Sequence, residues 1–544
     1  MPPHHSRLAT FAIALAGSAI VLSAQTLVMS EPCDLDVVPV VVDSNIWRTH
    51  PPGTFFTVNV HVEGDSLHGS LIHCQWVNEH RQPLGPLIPV SDTPIAIQSP
   101  STAPGFYGLE FTSTNSQISF LPQPAGFPSA VFGFAVLPTP PSGTPEPDET
   151  QPFGMVHANR MDTYLSSGSG PRVTGIHLKT RTWNHSPSAW TSSMRQRMAG
   201  GHTEMPLISN SPWDSIDTQP ISSAQLNQIG TKFSTLLRYE PAHVEYWQAG
   251  REENGGGTPY TQSHYFSNLL AKMVRLRAEA DAINPNVKFV YSTRGEHMWE
   301  FQQLFASVAF RDYYDGLAQD PYNWPNFPTP EGWLVSHISD IRTRMVSAGV
   351  QGHFFWWGEC GIPVRGNNDP QAFFGYPSSQ TAIPGATLDY AARYMVKLHA
   401  LSLANGITRI YWYNYQNRAN SIDYAEDHFG LRSYSSVSGD PGHPLPSYVA
   451  YITMLSHLKG CSFVQFRTPV PNVYVFEFAV NGTPERRILA WVEPAQSVTL
   501  PLTSVQHGLV AAGVQTVSDM YGRPFPVISG QNITLDDRLV YLRF

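Results

Sequence analysis

Two short runs of this sequence set carboxylates at the ends of apolar, aromatic stretches: Glu245-Tyr-Trp-Gln-Ala-Gly-Arg-Glu-Glu-Asn254 and His353-Phe-Phe-Trp-Trp-Gly-Glu-Cys-Gly361. Two carboxyl groups facing one bond can share out the cleavage of a sugar linkage. One lends a proton to the glycosidic oxygen, a poor leaving group, and the other meets the positive charge that grows on the anomeric carbon. The runs are far apart in the chain, so a framework must bring them together. A βα barrel does so, because its parallel strands all end on one rim and side chains there converge.

The elements of such a barrel are legible. Candidate strands are Phe153–Asn159, Val173–Lys179, Glu204–Ser209, Val244–Ala249, Val287–Ser292, Tyr314–Ala318, His353–Trp357 and Thr408–Tyr413. Between them lie stretches with apolar residues at helical spacing: Leu226, Ile229, Phe233 and Leu236; Phe266, Leu269, Leu270, Met273 and Val274; Leu334, Ile338, Ile341 and Met345; Ala391, Tyr394, Met395, Leu398 and Leu401. A further helix with Tyr448, Ile452 and Leu455 closes the series. Eight strands alternating with helices predict a (β/α)8 barrel over 153–459. The competing doubly wound open sheet is disfavoured, since no Gly-rich phosphate loop follows any strand.

Both flanks read as all-β. Residues 33–137 carry short alternating runs such as Phe55-Phe-Thr-Val-Asn-Val-His-Val62 between Gly/Pro/Asp turns, which predicts a β-sandwich. A Pro-rich linker follows over 138–152. From 460 to 544, runs such as Val473-Tyr-Val-Phe-Glu-Phe478 predict a second sandwich. Arg7 before the apolar stretch Leu8–Leu22, with small residues up to Ala24, reads as a signal peptide over 1–24 and a secreted or periplasmic protein. An uncleaved N-terminal anchor is the other reading of that pattern.

Composition narrows the function. With 42% hydrophobic and only 14% charged residues the chain is globular, and 544 residues demand several domains. A net charge of −9 argues against nucleic acid and against an anionic membrane surface as partners. The 12% aromatic content suits saccharides, whose ring faces stack on Trp and Tyr, although the same residues also build cores. Cys33 and Cys74 lie close enough in sequence to pair. Cys360 reads as a buried small thiol rather than a nucleophile. Asp423-Tyr-Ala-Glu-Asp-His428 has metal-ligand residue types without metal-ligand spacing, so it reads as a solvated loop and no metal is expected. Glu296 and His297 after the fifth strand read equally as cleft residues or as a helix start.

The order of these motifs resembles glycoside hydrolases of clan A, most nearly family 39 and its relatives, from Phe153 to the C-terminus. Phe153-Gly-Met-Val resembles the first strand of that family, and Met205-Pro-Leu-Ile-Ser-Asn-Ser-Pro-Trp213 its third strand with the Pro-Trp turn. Gly250-Arg-Glu-Glu-Asn254 resembles the Gly-Asn-Glu-Pro-Asn motif after the fourth. Asp315-Gly-Leu-Ala-Gln-Asp-Pro-Tyr-Asn323 resembles the sixth, Trp357-Gly-Glu-Cys-Gly361 the seventh and Arg409-Ile-Tyr-Trp-Tyr413 the eighth. The resemblance implies Glu252 as general acid/base and Glu359 as nucleophile of a retaining double displacement on a β-linked oligo- or polysaccharide. The two carboxyls would then stand about 5–5.5 Å apart. It further implies that Tyr322 donates a hydrogen bond to Glu359 and that Trp412 forms the stacking floor. Arg251, Trp213, Asn254 and Trp357 complete the substrate-binding set, and no cofactor is implied.

Three positions depart from the pattern. Arg251 stands where the family has Asn; it offers donors and a fixed charge where Asn also accepts, which suits either an anionic saccharide or a barrel that binds without cutting. Glu253 replaces the family's Pro, so a one-residue slip would make it the acid. Asp320 stands where a His often precedes the Pro-Tyr pair. A non-catalytic carbohydrate-binding protein on a degenerate barrel is therefore the alternative to a glycosidase, and a structural surface protein is the third reading.

Overall fold

The computed structural model describes residues 35–43, 45, 47–64, 72–114, 118–120, 131–138, 152–156, 176–180, 186, 188, 190, 192, 194–195, 202–208, 219–239, 244–250, 264–294, 308–323, 327–364, 372–373, 383–384, 386–418, 425–435, 441–494, 496–506, 516–526 and 532–544. The segment 1–24 expected to be a signal peptide, Cys33, nearly all of the linker, Glu296 and His297 lie outside them.

Eight parallel strands close on themselves in chain order: β1 (Phe153–Val156), β2 (His177–Thr180), β3 (Thr203–Ile208), β4 (Tyr246–Ala249), β5 (Lys288–Arg294), β6 (Gly316–Asp320), β7 (Phe354–Cys360) and β8 (Ile410–Trp412). β8 pairs with β1, which completes the ring and excludes the open sheet. Each strand falls within or beside the stretch expected for it. Around the ring run α1 (Ser223–Tyr239), α2 (Tyr265–Ile283), the short α3 (Val308–Arg311), α4 (Pro330–Ser347), α5 (Leu388–Ala404) and α6 (Pro446–Leu458). Their apolar stripes face inward as the periodicity requires: Ile229, Phe233 and Leu236 of α1, and Leu334, Ile338, Ile341 and Met345 of α4, are buried.

The interior of the ring is packed, not hollow. At its N-terminal end Arg409 is buried between the rings of Tyr246, 4.2 Å away, and Trp356, 4.3 Å away. Tyr246 also meets Phe354 edge-on at 5.7 Å. β4 and β7 are not neighbours, so these contacts cross the barrel and identify Phe354 and Trp356 as inward-facing. Gly316 leaves the space that the Phe354 ring fills.

Between barrel and helices, His399 of α5 is fully buried and lies against Phe153, Trp412 and Tyr451. Burial lowers its imidazole to about 4, against the opposing effect of the hydrogen bond that Nδ1 donates to the Met395 carbonyl. His457 of α6 is lowered to about 3, first by burial and then by Arg487 and Arg543. A histidine held neutral in the fold supports stability above its unfolded value near 6.5, and that support is lost as pH falls toward the folded value. The protein should therefore lose stability between about pH 6.5 and 4, by about 3 kcal/mol for His399. His399→Phe should flatten that slope in denaturant midpoints measured across the interval.

Both flanking β domains are present. N-terminal to the barrel, Leu35–Val42, Thr57–Gly64, Ile95–Gln98 and Ile118–Phe120 form one sheet. Thr49–His50, Ile72–Val77, Ile88–Pro89, Gly105–Ser113 and Val131–Val136 form the other. Val58, Val60, Ile72, Trp76, Leu109 and Phe134 fill the space between them, as strand alternation demands. Cys74 is a buried free thiol in that core, pushed up to about 12 by burial. After α6, five strands from Cys461–Arg467 to Val540–Arg543 make a sheet, with Val498–Pro501 and Asn532–Leu535 paired beside it. Phe476, Phe478, Leu489 and Trp491 of that sheet merge with the barrel's own core. Among the described residues no helix is long and apolar enough to cross a membrane.

Candidate active site

Glu359 lies at the C-terminal end of β7 and is 2% exposed. Simple alternation from the inward-facing Phe354 and Trp356 would turn it away from the interior. A bulge reverses this. Trp357 pairs with Ile410 and Cys360 with Trp412, so three steps of β7 run beside two of β8. Glu359 is thereby turned inward, where its Oε1 accepts a 3.1 Å hydrogen bond from the Nζ of Lys179 on β2. Lys179 is itself buried and donates also to the Gly358 carbonyl at 3.1 Å. β2 and β7 are not adjacent, so this ion pair spans the mouth of the barrel.

Further groups lie around the pair. Asp320 ends β6, is buried, and comes so close that a Cβ on Gly358 would sit 2.7 Å from its Oδ1. Tyr413, just past β8, is buried; burial first and the Glu359 charge second push its phenol up to about 12. Arg418 donates to the Tyr413 hydroxyl at 3.2 Å and to Glu426 at 3.0 Å. Tyr322 stands edge-on to Tyr413 at 6.4 Å and to Phe429 at 5.7 Å. Tyr322 and Tyr413 thus share one aromatic wall beside Glu359.

Two expected sugar-facing residues need correcting. Trp357 is fully buried on the outer side of β7, where its Nε1 donates to Ser402 of α5 at 2.7 Å and its ring stacks on His337 of α4. Trp412 is 1% exposed and lies against His399 of α5. A stacking platform needs an open face, and neither indole has one. In β8 the ring on the Glu359 side belongs to Tyr413, one residue further along. The 423–428 segment is also corrected where described: Ala425–His428 is a 3-10 turn with Ala425, Asp427 and His428 buried, and burial raises the Asp427 carboxyl.

Trp213, Arg251, Glu252, Glu253 and Asn254 lie outside the described residues. The chain does reach Gly250, whose φ of 80° only glycine adopts freely, at the end of β4. Its nitrogen donates to the Ile208 carbonyl, and its own carbonyl accepts from Gln248. Because all eight strands are parallel, this exit is on the same rim as Glu359. Cys360 is fully buried with its thiol raised well above the ordinary value, first by burial and then by the Asp320 and Glu359 charges, so it is unsuited to nucleophilic attack. Among the described residues no group of His, Cys, Asp and Glu could hold a metal ion.

Lys179, Tyr413 and Arg418 were not expected at the site. Lys179 closes an apolar run, where a lysine usually marks a strand's exit into solvent. Its signal was position alone, the C-terminal end of a barrel strand.

No family model and no curated protein match this sequence. Among solved structures, a Bacteroides uniformis β-glucuronidase is 10% identical, with a TM-score of 0.40 over 92% of this chain and 57% of its own. This chain therefore spans little more than half the length of that enzyme. The family 51 α-L-arabinofuranosidase of Bifidobacterium longum is 10% identical, with a TM-score of 0.46 over 74% of this chain and 91% of its own. The GH53 catalytic domain of Ignisphaera aggregans is 14% identical, with a TM-score of 0.39 over 57% of this chain and 96% of its own.

Proposed function

We propose that this protein is an exported glycoside hydrolase cleaving a β-linked oligo- or polysaccharide with retention, with Glu359 as nucleophile and Glu252 as acid/base. The observation that carries the reading is the Glu359 carboxylate, turned inward by a strand bulge and held by Lys179 on the rim where β4 leads out toward Glu252. A nucleophilic carboxylate must be ionised and fixed in direction, and a buried lysine at hydrogen-bond distance provides both. Glu252 would protonate the leaving oxygen as Glu359 attacks the anomeric carbon, then take a proton from the water that releases the sugar. Tyr413 keeps its proton up to about 12 and serves as a hydrogen-bond donor. Tyr413→Phe should accordingly lower the plateau of the pH–rate profile and leave its limbs in place between about pH 5 and 10.

The test is a panel of aryl β-glycosides and polysaccharides, including uronic and sulfated glycans, with the first product read by proton NMR. A β-configured first product is expected. An α-configured one would overturn retention, and binding without turnover across the panel would favour a non-catalytic carbohydrate binder.

A further inference from the structure

The N-terminal sandwich touches the barrel at the loop that follows β8, the loop that carries the aromatic wall beside Glu359. Arg432 of this loop is fully buried. Its Nη2 donates to the carbonyl of Trp47 in the sandwich at 2.7 Å and to that of Gly442 at 2.8 Å, while its Nε donates to Pro441 at 3.0 Å. The guanidinium also lies over Trp47 and, at 4.8 Å, over Tyr448 of α6. Around it the fit is close. Phe132 meets His443 edge-on at 4.8 Å, Arg48 donates to Gly442, and a Cβ on Gly133 would overlap the Pro444 carbonyl oxygen.

From Arg432 the connection to the site is short. Its backbone nitrogen donates to the Tyr415 carbonyl, and its carbonyl accepts from Asn417. Asn414 donates to Phe429, and Leu431 to Asn414, so 414–417 and 429–432 are laced together. Phe429 then packs on Tyr413 at 5.5 Å and on Tyr322 at 5.7 Å. The geometry points to Arg432 as a positioning residue and to the N-terminal sandwich as a brace of the active-site wall, not a tethered module. A tethered module would meet the barrel through exposed, interchangeable contacts; a guanidinium serving carbonyls on both sides is neither.

This inference rests on the proposed glycosidase reading for its effect on catalysis, though not for the mechanical link. Two full-length variants test it: Gly133→Ala, which wedges the sandwich off the Pro444 carbonyl, and Arg432→Lys, whose single amine cannot reproduce the guanidinium's fork. Hydrogen exchange should quicken about tenfold or more in 413–418 and 425–435 and stay unchanged in β2 and β5. The rate constant for covalent trapping by an activated 2-deoxy-2-fluoro-β-glycoside should fall about tenfold or more, with the probe's binding constant unchanged within a factor of two to three. Folded variants that exchange and trap like the parent would overturn the brace. A parent that no fluoroglycoside traps would sink the glycosidase reading while leaving the exchange comparison to decide the brace.

Discussion

Glu359→Gln should lower turnover of a cleavable β-glycoside by about 10⁴-fold or more, with the binding constant for substrate held within a few-fold. Gln matches Glu in size, so the buried position at the end of β7 can still be filled, and Lys179 can still donate to the amide oxygen. What is lost is the negative charge and the electron pair that would form the glycosyl bond. A fall confined to the chemical step separates this role from a packing role, which would move binding and thermal stability together. Measurement of kcat and KM with an aryl glycoside, together with an inhibitor binding constant, reads the difference.

The second large effect is expected at Lys179. Lys179→Met keeps the length of the stem and removes the charge, leaving Glu359 as a buried carboxyl without its cation. Breaking a buried pair from one side costs about 3–5 kcal/mol when the remaining charge stays ionised. The alternative open to the variant is to protonate Glu359, which spares stability and removes the proposed nucleophile. Either way activity falls, and the acidic limb of the pH–rate profile should move to higher pH, because losing a neighbouring cation favours the protonated carboxyl. Urea midpoints at pH 5 and pH 8 distinguish the routes, since a variant that escapes by protonation is relatively more stable at the lower pH.

Much of the fold follows from local rules that a reader of the sequence can apply. The helical stripes of α1, α4 and α5 and the apolar runs of the eight strands each announce their own element, and their alternation leaves few topologies. Glu359 was legible for the same reason, as a carboxylate where a buried strand meets the rim. Orientation within a strand was not legible. The bulge in β7 comes from how β7 and β8 register against each other, and no residue in Trp357-Gly-Glu-Cys360 announces it. One step of parity separates Trp412, turned to the helices, from Tyr413, turned to the site. Lys179 was missed because its partner lies in the seventh strand while it ends the second, and sequence reading sees no such pair. The Arg432–Trp47 contact joins residues far apart in the chain and in different domains, so only the folded arrangement reveals it.

Residues 425–428 show the opposite error. Acidic residues and a histidine in a loop are usually solvated, yet Asp427 and His428 are buried beneath the wall that Phe429 and Tyr413 form. Arg418, itself exposed, links Glu426 of that turn to the Tyr413 hydroxyl.

The role given to Glu359 is tested most directly by trapping its covalent intermediate. A 2-deoxy-2-fluoro-β-glycoside with a good leaving group, chosen from the sugar that the substrate panel identifies, slows release of the bound sugar more than its capture. Peptide mass spectrometry of the stalled protein should find the fluorosugar mass on the segment containing Glu359, and none in the Glu359→Gln variant. An adduct on another carboxylate, or steady turnover of natural substrate with no adduct formed, would contradict the account.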